Sequence, residues 1–316
     1  MDTRQIEYIL KISEERSVTR AAEQLFITQS ALSQQVQKLE KELGTSLFFR
    51  TKADWTPTPE GEIYLENARK ILRIKQDTYS MIADRVNSRK SYLSIGITPG
   101  RGPAMFTHIY PIFHKKFPKV ILEPRELSVK KQQQEIRKGT LDLGFITLLE
   151  SQKTNDHYID LLDEELFLVV PEKLALSLMP ETETDSVSTH MGVPLEINPT
   201  LLEEYPFILM YKESTQRLIT DEIFRNAGFT PKILFETSSN QTILSMIQAE
   251  LCVGIVPWYY IKNCSQKLFY FSLPGHPSWK ICASCQKDAY LSKAAREYIR
   301  LVKSYYDLQN ASEDTV

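Results

Sequence analysis

Long apolar runs are missing from this 316-residue chain. No stretch approaches the roughly 20 apolar residues that span a bilayer. Met1-Asp2-Thr3-Arg4 leads directly into helix-forming sequence without a signal peptide, so the cytoplasm is the expected compartment, with no membrane partner. Cysteine is also scarce. Cys252, Cys264, Cys282 and Cys285 are too few for a secreted disulfide scaffold of this length. Cys282-Ala283-Ser284-Cys285 has C-x-x-C spacing, which leaves a redox-responsive reading through Cys282 and Cys285 as an alternative. Trp279–Ala283 reads as a strand, however. On a continued strand these two thiols face opposite sides about 10 Å apart, beyond disulfide reach. The five histidines are scattered and no second Cys pair completes a zinc site, so neither metal nor other cofactor is expected. Gly96, Gly100 and Gly102 lack the G-x-G-x-x-G spacing of a dinucleotide fingerprint. A nucleophile elbow, a P-loop and usefully spaced carboxylates are absent too. No catalytic residue is assigned, and an α/β enzyme remains only the rival class.

Strong charge of either sign is lacking as well. The net charge is −2, with 15 Lys and Arg against 13 Asp and Glu through Lys90 and −4 on the remainder. A nucleic-acid binder of this composition must rely on a few placed cations and on dimerisation.

What is present is concentrated between residues 17 and 61. Ser17 to Val36 reads as two short helices around a tight turn, with Thr19 and Thr28 placed as N-caps. Leu32, Val36, Leu39 and Leu43 recur at helical spacing as one buried stripe. The opposite face carries Thr28, Gln29, Ser30, Ser33, Gln34 and Gln37, amides and hydroxyls suited to base edges. Such a face on a lone helix is ordinarily just solvated. Here a helix carrying Ile6, Ile9 and Leu10 precedes it, and Leu47 to Pro57 follows as strand, charged tip and return strand. Arg20, Arg50 and Lys52 are the candidate phosphate contacts.

Thr19-Arg20-Ala21-Ala22, Gln29-Ser30-Ala31-Leu32-Ser33, Leu39-Glu40-Lys41-Glu42-Leu43-Gly44, Leu47-Phe48-Phe49-Arg50 and Thr56-Pro57-Thr58-Pro59-Glu60-Gly61-Glu62 follow one another over about sixty residues. This combination resembles the N-terminal winged helix-turn-helix of LysR-type transcriptional regulators. Beyond residue 90 the resemblance rests on pattern more than identity. It implies a homodimeric or homotetrameric, sequence-specific regulator of double-stranded DNA. A small-molecule effector controls such a regulator, and RNA polymerase is a further partner.

From Pro59 to about Ser88 the chain reads as one long helix, with Thr58 as its cap. Leu65, Ala68, Leu72, Lys75, Tyr79, Ile82 and Val86 alternate three and four apart, a seam expected to pair with a second copy through Leu65, Leu72, Tyr79, Ile82 and Val86. Two reading heads about one DNA turn apart would then meet an inverted repeat.

After Lys90, strands and helices alternate, which predicts an α/β fold with mainly parallel pairing. The expected organisation is a winged helix-turn-helix over 1–58, a dimerising linker helix over 59–89 and an effector domain over 90–308. Lobe one takes 90–165 and 268–308, and lobe two takes 166–267. Residues 309–316 are expected to form a disordered tail. The resemblance implies two lobes joined by a double crossover, similar to periplasmic binding proteins. A ligand would sit between them, at the carboxyl ends of strands and at helix N-termini. Thr98, Gly100, Arg101, Ser128 and Thr147 in lobe one, with Ser214 and Thr215 in lobe two, are the candidate contacts. Arg101 would favour an anionic ligand. Each hydroxyl, taken singly, is as well explained as an ordinary helix cap. Residues 181–200, rich in Thr, Ser, Glu and Pro, read as a surface insertion or a lid.

Overall fold

The computed structural model describes residues 2–51, 54–86, 91–178, 195–265 and 268–311. Lys52, residues 181–194 of the expected insertion and residues 312–316 of the expected tail lie outside them. The chain forms two compact units, Met1–Arg89 and Lys90–Val316.

In the first unit, α1 (Thr3–Glu15), α2 (Val18–Gln24) and α3 (Gln29–Leu43) precede a hairpin of β1 (Phe48–Arg50) and β2 (Trp55–Pro57). Asp2, Ser17 and Thr28 cap the three helices by accepting from the Arg4, Arg20 and Ala31 amides. Ser17, not Thr19, is therefore the cap of α2. Thr19 already lies inside the helix, where its hydroxyl cannot meet the orphan N–H groups of the first turn. Ile9, Ile12, Ala21, Ala22, Leu32, Val36, Leu39, Leu47 and Phe48 close a single core. Each large aliphatic chain buried there contributes about 1.5–3 kcal/mol. Leu43 departs from its expected stripe and is 45% exposed, because the last turn of α3 runs past the core before Gly44 ends it in the left-handed region.

The long helix α4 spans Pro59–Val86. The Thr58 hydroxyl accepts from the Gly61 amide at 2.9 Å and donates to the Ser46 carbonyl at 2.7 Å, so the expected cap also ties the helix to the hairpin. Leu65 corrects the expected seam. It is 1% exposed and belongs to the core of its own winged domain, as the first turns of α4 pack there. Leu72 is half-buried, whereas Tyr79, Ile82 and Val86 are exposed, and Lys75 faces Glu7 of α1 at 3.5 Å.

The second unit starts with three parallel strands, β3 (Ser91–Ile97), β4 (Val120–Glu126) and β5 (Leu143–Leu148), in the order β4-β3-β5. Helices α5 (Arg101–Lys116) and α6 (Val129–Lys138) connect them. The 14-residue β6 (His157–Val170) then carries the chain across into lobe two. Leu166, Leu168 and Val170 enter one core and Phe167 and Val169 another, which is why this stretch is a continuous apolar run. Lobe two follows with α7 (Glu172–Leu178), β7 (Pro206–Met210), α8 (Thr215–Ala227), β8 (Lys232–Thr237), α9 (Asn240–Gln248), β9 (Gly254–Pro257), α10 (Trp258–Lys262) and β10 (Phe269–Phe271). The second crossover is β11 (Ser278–Cys285), and α11 (Lys293–Ala311) packs back on lobe one through Tyr298 and Val302.

Three expectations are revised here. Strand β11 runs antiparallel to both β5 and β6, so the sheet is mixed. Strand β10 pairs with the lobe-two end of β6, and Phe269, Phe271 and Leu273 join its core, so lobe one resumes near Ser278 and not at Leu268. Residues 309–311 complete α11 and are not tail, because the helix extends one turn past Leu308.

Gly96 has a packing role. A Cβ there would lie 2.6 Å from the buried Gln132 side chain, so its bare backbone lets α6 approach the sheet.

Candidate functional site

The first candidate surface is the outer face of α3. Because Leu32, Val36 and Leu39 anchor one side, helical spacing turns Thr28, Gln29, Ser30, Gln34 and Gln37 to solvent, with Ser33 half-buried. The Thr28 hydroxyl is held within 3.2 Å of both the Ala31 amide and the Ser30 hydroxyl. Two of the candidate phosphate contacts, Arg20 and Arg50, are engaged within the domain. Arg20 donates to the Glu15 carbonyl. Arg50 pairs with Glu40 and stacks its guanidinium 4.8 Å from the centre of the Trp55 ring. Glu40 also accepts from the Leu47 amide at 2.8 Å, so one carboxylate positions both the start of the hairpin and its basic residue. Sequence reasoning missed Glu40 and Trp55. Trp55 sits opposite Arg50 in the hairpin register, a pairing that exists only once the turn is fixed.

The second candidate set is spread over both lobes. Thr98 follows β3, Gly100 is the N-cap position of α5, Ser128 caps α6, Thr147 is on β5, and Ser214 caps α8. The structure joins the two lobes directly through two of these residues: the buried Thr215 hydroxyl donates to the Thr147 carbonyl at 2.9 Å. Gly100, at φ 86°, is approached by Tyr260 from α10, whose hydroxyl would lie 2.4 Å from a Cβ at this position. No other residue type fits both the backbone angle and the space.

Arg101 is the principal correction. It is neither an exposed surface arginine nor a free cation for a ligand. It is 5% exposed, and its Nη2 donates to both carboxylate oxygens of Glu164 at 2.7 and 2.6 Å. Its guanidinium lies 4.6 Å from the centre of the Tyr259 ring. Glu164 accepts in addition from the Trp279 indole at 2.7 Å and the Tyr259 amide at 2.9 Å. Burial opposes the charge on Arg101, yet the adjacent Glu164 carboxylate outweighs it and holds the guanidinium pKa above its ordinary value. The hub therefore collects α5, both crossover strands and α10. Glu164, Tyr259, Tyr260 and Trp279 went unrecognised in the sequence. The available signal was a carboxylate at 164 inside a strand that becomes fully apolar two residues later.

Cys282 and Cys285 have separate surroundings, which does not favour the redox reading. On β11, Cys282 is opposite Asp160 and donates to it at 3.3 Å, while Cys285 enters the lobe-one core. Burial, reinforced by the Asp160 carboxylate, pushes the Cys282 thiol up to about 12, and burial alone pushes Cys252 up to about 11. Thiols held protonated are poor nucleophiles toward oxidants.

Residues 3–62 match the family model for the bacterial regulatory helix-turn-helix protein, lysR family, and residues 87–307 match the LysR substrate binding domain. The uncharacterized HTH-type transcriptional regulator YcgK of Bacillus subtilis is 28% identical over 95% of this chain and 94% of its own. A full-length OxyR variant from Pseudomonas aeruginosa shares the fold with a TM-score of 0.68 at 23% identity, covering 98% of this chain and 95% of that one. CbnR complexed with its target DNA shares it with a TM-score of 0.54 at 19% identity, covering 96% and 99%. Among the described residues, no helix is long and apolar enough to cross a membrane. A winged helix-turn-helix joined to a two-lobed α/β domain, each matched by its own family model, places this chain in the LysR family of DNA-binding transcription regulators.

Proposed function

We propose that the regulator reads its operator with α3, using Gln29, Ser33 and Gln34 on base edges and Thr28, Ser30 and Gln37 around them. Arg20, Arg50 and Lys52 hold phosphates. The observation that carries this reading is the row of exposed amides and hydroxyls, Gln29, Ser30, Gln34 and Gln37, on a capped helix whose other face is locked into a core. Helix α4 pairs two copies through Leu72, Tyr79, Ile82 and Val86, giving a homodimer or a tetramer of two such pairs. The effector occupies the meeting of the lobes near Thr98, Gly100, Ser128, Thr147, Ser214 and Thr215. It biases two lobe arrangements and so the spacing of the reading heads. The protein acts in the cytoplasm on transcription by RNA polymerase and is not an enzyme.

Binding to the DNA upstream of its own gene, measured at two salt concentrations with Gln34→Ala alongside, tests the first part. Salt-sensitive, selective binding that the substitution weakens by about 1–3 kcal/mol is the expected result. Arg50→Ala and Gln34→Ala variants that both retain full specific affinity would show the roles to be misassigned.

A further inference from the structure

Phe26 is the most exposed large apolar side chain among the described residues, at 95%, and it stands immediately before the helix that faces DNA. Its backbone is strained for its residue type. Helix α2 closes with the Ile27 amide on the Ala22 carbonyl and the Phe26 amide on the Glu23 carbonyl, both at 3.1 Å. That pair of bonds is the Schellman arrangement, and it puts Phe26 in the left-handed region at φ 55°, where glycine is the favoured residue. Neither burial nor backbone preference accounts for phenylalanine here. The unbound fold would be better served by glycine.

Its direction and neighbours indicate what covers it. Leu25 and Ile27 on either side are half-buried against the winged-domain core, which holds Phe26 outward between them. The residues that follow, Thr28, Gln29 and Ser30, are exposed and continuous with the reading face. From Ala21 to Gln37 the chain has no Lys or Arg, so this edge of the interface has no cation of its own to draw in the DNA backbone. The N-terminal end of a recognition helix enters the major groove, where a residue just ahead of it meets the groove edge. The apolar groups offered there are the C5-methyl of thymine and the faces of deoxyribose rings.

We propose that Phe26 is a DNA contact, an aromatic pad that packs on a thymine methyl or a deoxyribose at the groove edge. It supplies apolar affinity at the N-terminal edge of the reading face, where the chain has no Lys or Arg. The inference rests on the reading of α3 as the recognition helix.

The test uses full-length protein and a duplex that the wild type selects from a randomised pool, with Phe26→Gly, Phe26→Leu and Gln34→Ala compared for binding and thermal unfolding. Phe26→Gly should unfold at an equal or higher temperature, since glycine takes the left-handed angle freely. It should bind the duplex on the order of tenfold more weakly, with the salt dependence unchanged because no phosphate contact is lost. Phe26→Leu should keep most of the affinity. Replacing each thymine in turn by uracil separates the two sources. A position that weakens the wild type but not Phe26→Gly identifies the methyl, and the lack of one, with Phe26→Gly still weak, identifies deoxyribose. Full affinity of Phe26→Gly alongside a weakened Gln34→Ala overturns the proposal alone. Full affinity of both overturns the reading of α3 as well. Unfolding of Phe26→Gly at a lower temperature would make Phe26 a folding residue and also overturn it.

Discussion

Substituting Glu164 by Gln tests the buried hub most directly, since the shape is kept and only the charge and acceptor pattern change. Arg101 and Glu164 are each 5% exposed, and the Glu164 carboxylate accepts four hydrogen bonds: two from Arg101, one from Trp279 and one from the Tyr259 amide. A glutamine keeps one accepting oxygen and places a donor where the other was. It also leaves a buried guanidinium without a counter-charge. Arg101 cannot escape by losing its proton, because guanidinium stays charged at any accessible pH. Among the described residues its Nη1 has no hydrogen-bond partner even in the intact hub, so none of them stands beside it as a reserve acceptor. Removing one member of such a pair costs about 3–5 kcal/mol. At about 2–4 °C per kcal/mol for a domain of this size, the unfolding midpoint of the second unit should fall by roughly 6–20 °C. Arg101→Met combined with Glu164→Gln removes the orphaned charge and retains an acceptor for Trp279 or Tyr259, so it should recover more than half of the loss. Thermal unfolding of full-length protein followed by circular dichroism reads all three variants. A drop below about 2 °C for Glu164→Gln, or additive effects in the double variant, would refute the hub and return Arg101 to candidacy as a ligand cation.

The remaining predictions concern other sites. Cys282→Ser should leave DNA binding and its response to peroxide unchanged, and alkylation of the native protein should label the half-buried Cys264 before Cys252 or Cys282; a peroxide response abolished in Cys282→Ser would restore the redox reading. His276 is hydrogen-bonded to Glu165 at 2.8 Å, and this bond, with the Glu165 and nearby Glu196 charges, raises its pKa. Its contribution to stability is complete below the ordinary histidine value and disappears as pH rises through the elevated one. A plot of unfolding temperature against pH should therefore lose, in His276→Gln, a small fall that sets in as pH rises past the ordinary histidine value, and an unchanged plot would show the pair to be energetically silent. Leu65→Ala should destabilise the winged domain by about 2–5 kcal/mol, whereas Ile82→Ser should weaken self-association at unchanged domain stability. Sedimentation alongside unfolding separates these, and the reverse pattern would move the seam back to Leu65.

The parts of this fold legible in the sequence are those written in local periodicity. The α3 stripe from Leu32 to Leu39, the Thr58 cap and the apolar run Leu166–Val170 each follow from neighbours a few residues apart. What escaped depends on long-range partners. Arg101 reads as a cleft cation until Glu164, sixty-three positions away, is brought against it. Leu65 fits a heptad seam as well as it fits a core, and only the packing of α4 on its own domain decides between them. Leu268 resembles a return point because Phe269–Phe271 is a plausible strand for either lobe; pairing with Leu168–Val170 assigns it to the second. Thr19 lost its capping role to a serine two residues earlier, a shift within the ordinary uncertainty of helix ends.

The neutralisation of Arg101 changes what an effector must bring if it binds where the lobes meet. Ser128 and Ser214 each accept from a helix amide, at 3.4 and 3.1 Å, but a hydroxyl that accepts still has its own proton to donate. Thr215 is the opposite case: it donates to Thr147, and its oxygen is left able to accept. As ligand contacts these residues would offer donors from both lobes and one acceptor, with no net positive charge from Arg101 to select an anion. A ligand that accepted from a hydroxyl of each lobe would bind best in one relative arrangement of the lobes. That dependence on arrangement is what control requires, since a ligand shifts an equilibrium only by the difference in its affinity for the two states. A molecule bound through one lobe alone, however tightly, would leave the spacing of the reading heads where it was.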